Sequence, residues 1–246
     1  MASTKIAERT YSVLLEFFTK NTPFLNHDKD WFAFWEKQIK LGVNSEIYTN
    51  PKLRNAYTEN AMFVLLVDCE AEIRAETAKS IGANDCFKVM EKTIKENAKN
   101  GQERFAGAYY TQRGDAIVTN GYYALQTNKE VVLPRVEEER FPVSIVGIIK
   151  KAYEENKTQV SIPTLSELKA YIKLKKAEKT LGEITYELGD GYVYVKADYL
   201  KRVIEFLGDN NIECYTVWEP DRRPIAPLLF TNNSGEIAIL CPVKKY

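Results

Sequence analysis

The sequence has few of the residues on which enzyme chemistry usually depends. Its 246 residues include one histidine, His27, which lies in a polar, loop-like tract beside Asp28 and Asp30. A Ser-His-Asp or Cys-His arrangement would have to use this side chain, whose surroundings are more typical of a surface histidine. The sequence contains no Cys-x-x-Cys or His-x-x-x-His pair for zinc and no glycine-rich phosphate loop. We therefore expect no catalytic residue, no metal site and no cofactor.

Long hydrophobic runs are also missing. The longest, Ala61 to Val67, is far shorter than the roughly 20 apolar residues needed to cross a bilayer. The first residues lack the continuous apolar core of a signal peptide. Cys69, Cys214 and Cys241 have apolar neighbours typical of buried thiols, not of a disulfide framework. These features predict a cytoplasmic protein with no membrane partner.

Neither sign of charge is in excess. The chain has 34 basic and 34 acidic residues, so its formal net charge is zero, and any nucleic-acid surface would have to be a local patch. An apolar content of 45% is sufficient for a packed core. The length allows one large domain or two ordinary ones.

Hydrophobic residues at helical spacing dominate residues 1–83, which we predict to be a helical N-terminal region. The three apolar stripes are Val13, Leu14, Phe17 and Phe18; Trp31, Phe34, Trp35 and Ile39; and Met62, Leu65, Leu66, Cys69 and Ile73.

Residues 84–246 show a different pattern, in which a helix followed by short antiparallel strands occurs twice, at 84–126 and 197–240. Asn120-Gly121 predicts a tight turn with positive φ angles in the first meander. The segment between the two units contains a helix near 145–153 and another that starts at Thr164, where Thr164 and Glu167 have the spacing of a capping box. The sequence therefore predicts an α+β protein with half-units at about 84–130 and 183–246 and a helical connector between them.

Lysines recur at helical spacing on the predicted helices. They form a stripe on the helix near 85–99 and a second on the capped helix, and basic residues also lie on the last helix. The candidate DNA contacts are Lys88, Lys92, Lys95, Lys99, Lys169, Lys173, Lys176, Lys201 and Arg202. The alternative is that these lysines form the solvated sides of amphipathic helices, neutralised by neighbours such as Glu91, Glu96 and Glu205.

Two blocks of sequence resemble, in order and spacing, the half-domains of the bacterial DNA polymerase III β sliding clamp family. In the first block, Val118-Thr119-Asn120-Gly121-Tyr122-Tyr123 is similar to the family's Thr-Asp-Gly-His-Arg-Leu segment, with asparagine in place of aspartate and two tyrosines in place of His-Arg. The last block ends in Leu240-Cys241-Pro242-Val243-Lys244, similar to the family's Met-Pro-Met-Arg. Residues 1–83 have no counterpart in this resemblance.

The resemblance implies a non-catalytic protein that binds duplex DNA, replication or repair proteins, or both. Helices would line a DNA-binding face with sequence-independent, salt-sensitive contacts, and sheets would form the outside. It requires the helices at 85–99 and 197–207 to lie side by side under one continuous sheet. A chain this short would close a ring only as a larger homo-oligomer. The positions that match the family's partner-peptide pocket are Thr119, Gly121, Tyr122, Tyr123, Pro242 and Val243.

Three alternatives remain open at this stage. Asp68, Glu70 and Glu72 would share a face on a strand and could hold the two metal ions of a nuclease, whereas on a helix they would diverge. Tyrosine pairs at 109–110 and 122–123 could stack bases in a single-strand binder, although in strands such pairs usually belong to the core. The third alternative is a protein-interaction module that has a clamp fold and does not bind DNA.

Overall fold

The computed structural model describes residues 2–21, 59–136, 141, 144–178, 182–189, 193–208 and 211–244. The chain divides into two compact units, Met1–Ser80 and Ile81–Tyr246. His27 and the apolar stripe that begins at Trp31 lie outside the described residues.

The first unit contains two long helices, α1 (Ala2–Asn21) and α2 (Glu59–Ser80). They pack against each other and bury Leu14 and Cys69 completely. The Phe18 and Phe63 rings meet edge to face with their centroids 6.0 Å apart. The helices predicted from the first and third apolar stripes are therefore confirmed.

The second unit combines four α-helices with nine strands among its described residues, which confirms the α+β class. The helices are α3 (Asn84–Lys99), α4 (Ser144–Glu155), α5 (Leu165–Ala177) and α6 (Ala197–Leu207), with a short 3-10 helix at Glu103–Phe105. The strands are β1 (Tyr109–Tyr110), β2 (Ala116–Thr119), β3 (Tyr123–Thr127), β4 (Asn156–Val160), β5 (Thr185–Leu188), β6 (Val193–Lys196), β7 (Glu213–Val217), β8 (Leu228–Thr231) and β9 (Ile237–Leu240).

Seven of these strands form one antiparallel sheet in the order β1-β2-β3-β9-β8-β7-β4, and β5 and β6 form a separate hairpin. Each helix-and-meander unit contributes three consecutive strands to the large sheet. Their inner strands β3 and β9 pair at the centre, where Leu125 lies opposite Ala238. The two units therefore share one continuous sheet.

Helices cover both faces of this sheet. On one face α3 and α6 lie against each other, and both also contact the sheet. On the other face α4 packs over a core formed by residues of four strands, including Ile117, Ala124, Leu229 and Ile239. The connector helix α4 therefore covers part of the face that the clamp resemblance implied would lie on the outside.

One local prediction needs correction. Only Gly121 of the Asn120-Gly121 turn has a positive φ, +88°, because the Asn120 side chain forms the turn by accepting the backbone N–H groups of Tyr122 and Tyr123. Helix α3 follows Ala83 and has no side-chain cap. Phe105 is in the 3-10 helix, and the strand that follows it, β1, comprises only two residues.

The capping box predicted at the start of α5 is present. The Thr164 hydroxyl accepts the Glu167 N–H at 3.2 Å, and the Glu167 carboxylate accepts the Thr164 N–H at 2.8 Å. Replacing Thr164 by alanine is expected to lower the free energy of unfolding by about 1 kcal/mol and the melting temperature by about 2–4 °C, as measured by thermal denaturation. Ser166→Ala, an exposed change two residues away, is the control and should leave the melting temperature nearly unchanged. Equal melting temperatures for the two variants would show that the box contributes no stability.

Candidate nucleic-acid interface and turn surface

Helices α3, α6 and α5 form a basic layer in which α6 lies between the other two. The three helices carry ten basic and six acidic side chains. The apolar side chains of α6, among them Leu200 and Ile204, are buried, so its polar groups face the surface between α3 and α5. Because packed helices are spaced by roughly 8–10 Å, the lysines of α3 and α5 form two rows that are separated by the width of α6.

Arg202, predicted to contact DNA, lies between α3 and α6. Its guanidinium donates to the Thr93 hydroxyl at 3.3 Å and to the Glu96 carboxylate at 3.0 Å. Burial opposes the charge of Arg202, but its hydrogen bond to Glu96 and the nearby charges of Tyr123, Glu96 and Glu205 together outweigh burial, so the pKa of the guanidinium is raised. The structure therefore places Arg202 in the contact between the two helices, where it holds α3 against α6.

Several of the predicted lysines are paired with glutamates, as the alternative interpretation expected. The Lys95 ammonium lies 3.0 Å from the Glu91 carboxylate, and Lys169 and Lys201 both approach Glu205, at 3.6 and 3.9 Å. The exposed lysines of the layer that have no carboxylate within ion-pair distance in the described parts of the chain are Lys88, Lys92, Lys99, Lys173 and Lys176. These five carry the positive charge of the layer.

The structure also brings together the two segments that match the partner pocket. The Cys241 N–H donates to the Tyr122 carbonyl at 2.8 Å, and the Val243 N–H donates to the Tyr194 carbonyl at 2.7 Å. The segment that contains Pro242 therefore lies along the β2–β3 turn and β6. We call this region, residues 119–123 with 241–243, the turn surface.

An aromatic group is exposed on the turn surface. Tyr122 is 51% exposed and stacks on Tyr199 with ring centroids 5.7 Å apart, whereas Tyr123 is buried. The Lys196 ammonium lies over both stacked rings, 4.8 Å from the Tyr122 centroid and 5.0 Å from that of Tyr199. Lys196 and Tyr199 also line an open cavity of about 450 Å³ next to the turn surface, together with Lys176 and Asp198.

A buried asparagine that the sequence analysis missed connects α3 to the turn surface. Asn97 is only 3% exposed, and its side-chain amide donates to the carbonyls of Phe105 and Thr119, each at 2.8 Å. The Thr119 hydroxyl in turn donates to the Tyr123 carbonyl at 2.6 Å. Asn97 continues the buried stripe of Met90 and Ile94, and a polar residue on an apolar stripe is the signal that could have identified it.

A buried ion pair that the sequence did not predict lies at the opposite end of β3. The Lys129 ammonium lies 2.6 Å from the carboxylate of Glu236, a residue that is 2% exposed. Apart from Lys129, neither carboxylate oxygen has a hydrogen-bond donor among the described residues. Burial opposes the charge of Lys129, but the hydrogen bond and charge of Glu236 raise the pKa of its ammonium above the ordinary value of 10.5.

The residues of the nuclease alternative lie on α2. Asp68, Glu70 and Glu72 therefore do not share one face as they would on a strand, and the Glu70 carboxylate accepts from Arg74 at 2.6 Å. In the described ranges no group of three or more histidine, cysteine or acidic residues is arranged to hold a metal ion.

Of the paired tyrosines, Tyr123 is buried, Tyr109 and Tyr110 are half-buried and Tyr122 is exposed, whereas most of the cysteines occupy core positions. Tyr109 stacks on Phe141 at 4.9 Å, and Tyr123 is buried. Cys69, Cys86 and Cys214 are buried, and Cys241 is half-buried. Burial raises the pKa of the Cys86, Cys214 and Cys241 thiols, which lowers their reactivity.

Comparisons of the chain with protein-family models, with curated proteins and with solved structures found no match. The likeness to sliding clamps therefore depends on the quoted residues and on the order of the elements. Among the helices that the structure describes, none is both long and apolar enough to cross a membrane.

Proposed function

We propose that this protein is a non-catalytic, clamp-like scaffold that binds duplex DNA through the basic layer of α3, α6 and α5. The observation that carries the proposal is the side-by-side packing of α3 and α6 under a sheet built jointly by both helix-and-meander units. This is the arrangement that the resemblance requires.

The distribution of charge supports contact with phosphates. The five lysines without ion-pair partners lie on the two outer helices, and three of the six acidic side chains are held in ion pairs: Glu91 by Lys95, Glu96 by Arg202 and Glu205 by Lys169. Lysine is a flexible point charge suited to phosphate oxygens and carries no base-reading geometry of its own. Binding is therefore expected to be independent of sequence and strongly dependent on salt.

The test is fluorescence anisotropy with a labelled duplex over about 50–200 mM salt, comparing the intact chain with the triple variant Lys88→Gln, Lys92→Gln, Lys173→Gln. Each lost phosphate contact is expected to reduce the slope of log K against log salt by about 0.9, so the triple variant should lose between two and three units of slope. The matched control is Lys150→Gln with Lys157→Gln, which removes exposed lysines from α4 and β4. An equal effect of both sets, or a salt-independent signal, would reject the DNA-binding face.

A protein-interaction module is the second candidate, and the turn surface favours it. The six pocket positions come from two distant segments, yet main-chain hydrogen bonds hold those segments together beside the exposed Tyr122 ring. Partner proteins of replication or repair would dock here whether or not the helix layer binds DNA. An intact, folded chain with no affinity for duplex DNA would favour this candidate.

Ring formation is part of the clamp proposal. Strands β1 and β4 form the two edges of the large sheet, and pairing of these edges between copies would give a closed homo-oligomer. Light scattering measures this directly, and retention on circular but not on linear DNA would distinguish a closed ring from an open assembly.

A further inference from the structure

The chain contains two Asn-Gly dipeptides, Asn100-Gly101 at the end of α3 and Asn120-Gly121 between β2 and β3. An asparagine that precedes glycine is prone to a reaction with its own backbone, because glycine has no Cβ to hinder the approach of its nitrogen to the asparagine side chain. The structure gives the two dipeptides different surroundings. Each therefore serves as a reference for the other.

The reaction is an intramolecular deamidation that consumes water and releases ammonia. The backbone nitrogen of the glycine loses its proton to solvent and bonds to Cγ of the asparagine, while the side-chain nitrogen takes up a proton and leaves as ammonia. Water then opens the resulting cyclic imide at either carbonyl. The products are aspartate and iso-aspartate, and both carry a negative charge that the asparagine did not have.

Asn100 lies in a part of the chain that is open to solvent. It follows the last residue of α3, with φ −88° and ψ 8°, and all the residues from 98 to 104 are exposed. The Asn100 side chain has no hydrogen bond to any residue that the structure describes. A Cβ added to Gly101 would meet no atom within 4 Å, so the imide ring would have room to form.

Ring closure requires rotation about the Asn100 Cα–C bond, and few interactions oppose this rotation. The Gly101 N–H donates to the Ala98 carbonyl at 3.1 Å, and the Gln102 N–H donates to the Asn97 carbonyl at 2.9 Å. Both bonds lie at the exposed end of a helix, where local opening requires little free energy. The Gly101 nitrogen is therefore readily released for attack.

The same dipeptide at Asn120 has both reacting groups engaged. The Asn120 side-chain oxygen accepts the N–H groups of Tyr122 and Tyr123 at 2.9 and 3.0 Å. The Gly121 N–H donates to the Thr119 hydroxyl at 3.0 Å. Because Thr119 and Tyr123 are buried, releasing these groups would open the turn between β2 and β3. The fold therefore protects Asn120.

We propose that Asn100 is a site of spontaneous deamidation in the native protein, and that the reaction weakens the binding of DNA to the basic layer. The preceding residue, Lys99, is one of the five lysines without an ion-pair partner, so the new carboxylate would lie next to a proposed phosphate contact. It would also add negative charge at the C-terminal end of α3, where the helix dipole is already negative. The effect on DNA rests on the proposed function, whereas the deamidation does not.

The reaction is measured by incubating the intact chain in mildly alkaline buffer and following the peptides that contain each dipeptide by mass spectrometry. In the folded chain Asn100 is expected to convert roughly tenfold faster than Asn120, because only Asn120 is protected by the fold. In urea the two sites should convert at similar rates. Asn100→Gln is the control, since its longer side chain closes the ring far more slowly and adds no charge.

The effect on DNA is measured by anisotropy with the converted form, which ion exchange separates by its added charge. It is expected to bind a labelled duplex about threefold more weakly than the fresh parent, as one extra charge near phosphates in water would give. Asn100→Asp should show the same loss without incubation. Asn100→Gln should keep its affinity after incubation.

Two results would overturn the proposal. They are conversion of Asn120 as fast as Asn100 in the folded chain, and equal DNA affinity of the converted and fresh forms. A fresh chain that does not bind DNA would instead reject the proposed function, and with it the effect on binding. Mass spectrometry would still decide whether Asn100 is the site of reaction.

Discussion

Replacing Lys129 by methionine is expected to lower the free energy of unfolding by about 3 kcal/mol, because it leaves the buried Glu236 carboxylate without a counter-charge. The value is at the lower end of the range for broken buried ion pairs, since Lys129 keeps partial exposure. Urea denaturation followed by circular dichroism measures the change. The pair connects the residues after β3 with the turn between β8 and β9. The loss of stability should therefore affect the whole second unit.

The double variant Lys129→Met, Glu236→Leu is the control for this prediction. Replacing both charges removes the unpaired carboxylate, so the double variant should recover most of the lost stability. Because the folded-state pKa of Lys129 is raised, the stabilisation by the pair should be fully present below about pH 10.5 and decline as the pH rises through the higher folded value. If Lys129→Met alone is as stable as the parent, the Glu236 carboxylate needs no counter-charge in the fold and the account is wrong.

Asn97→Asp is expected to destabilise the second unit by about 3–5 kcal/mol at neutral pH. The substitution preserves the shape of the side chain but points a carboxylate oxygen, in place of the amide N–H₂ group, at the Phe105 and Thr119 carbonyls. An ionised group would be repelled there, and a protonated one could donate only a single hydrogen bond. Chemical denaturation at several pH values measures the effect.

The pH dependence of this variant has a defined sign. Burial next to two carbonyls raises the folded-state pKa of the introduced carboxyl above its unfolded value of about 3.9. Stability relative to the parent should therefore be highest below about pH 4 and should fall as the pH rises through the folded-state pKa. Asn100→Asp, an exposed change at the end of the same helix, is the control and should cost less than about 1 kcal/mol. A pH-independent loss in Asn97→Asp would contradict this account.

The parts of the fold that local signals determine were predictable from the sequence. Apolar residues at helical spacing predicted α1, α2, α3 and α6, and the Thr164–Glu167 spacing predicted the capping box. The strands of both meanders were predicted because short apolar runs alternate with turn residues along these two segments of the sequence. The helical spacing of the lysines likewise predicted the rows on α3 and α5. Side chains that lie away from the buried apolar stripe of a helix are exposed.

Features that depend on long-range contacts were not predictable in the same way. Strand β4 was missed because its short polar sequence gives a weak signal, and its pairing partner β7 lies far along the chain. The location of α4 over the second face of the sheet follows from packing, which one amphipathic pattern does not specify. Lys129 and Glu236 are ordinary surface residue types, and only the completed sheet brings them together.

The pairing of β3 with β9 has a consequence for how the protein is made. Strand β9 supplies the partner that β3 needs, and it is synthesised roughly one hundred residues later, so the sheet cannot close until that segment has left the ribosome. Until then the first helix-and-meander segment exposes β3 as an unpaired apolar strand, which is an aggregation hazard in nascent chains. The pairing of β3 with β9 is therefore expected to be slow and late, and to be the step at which the folding protein most depends on chaperones.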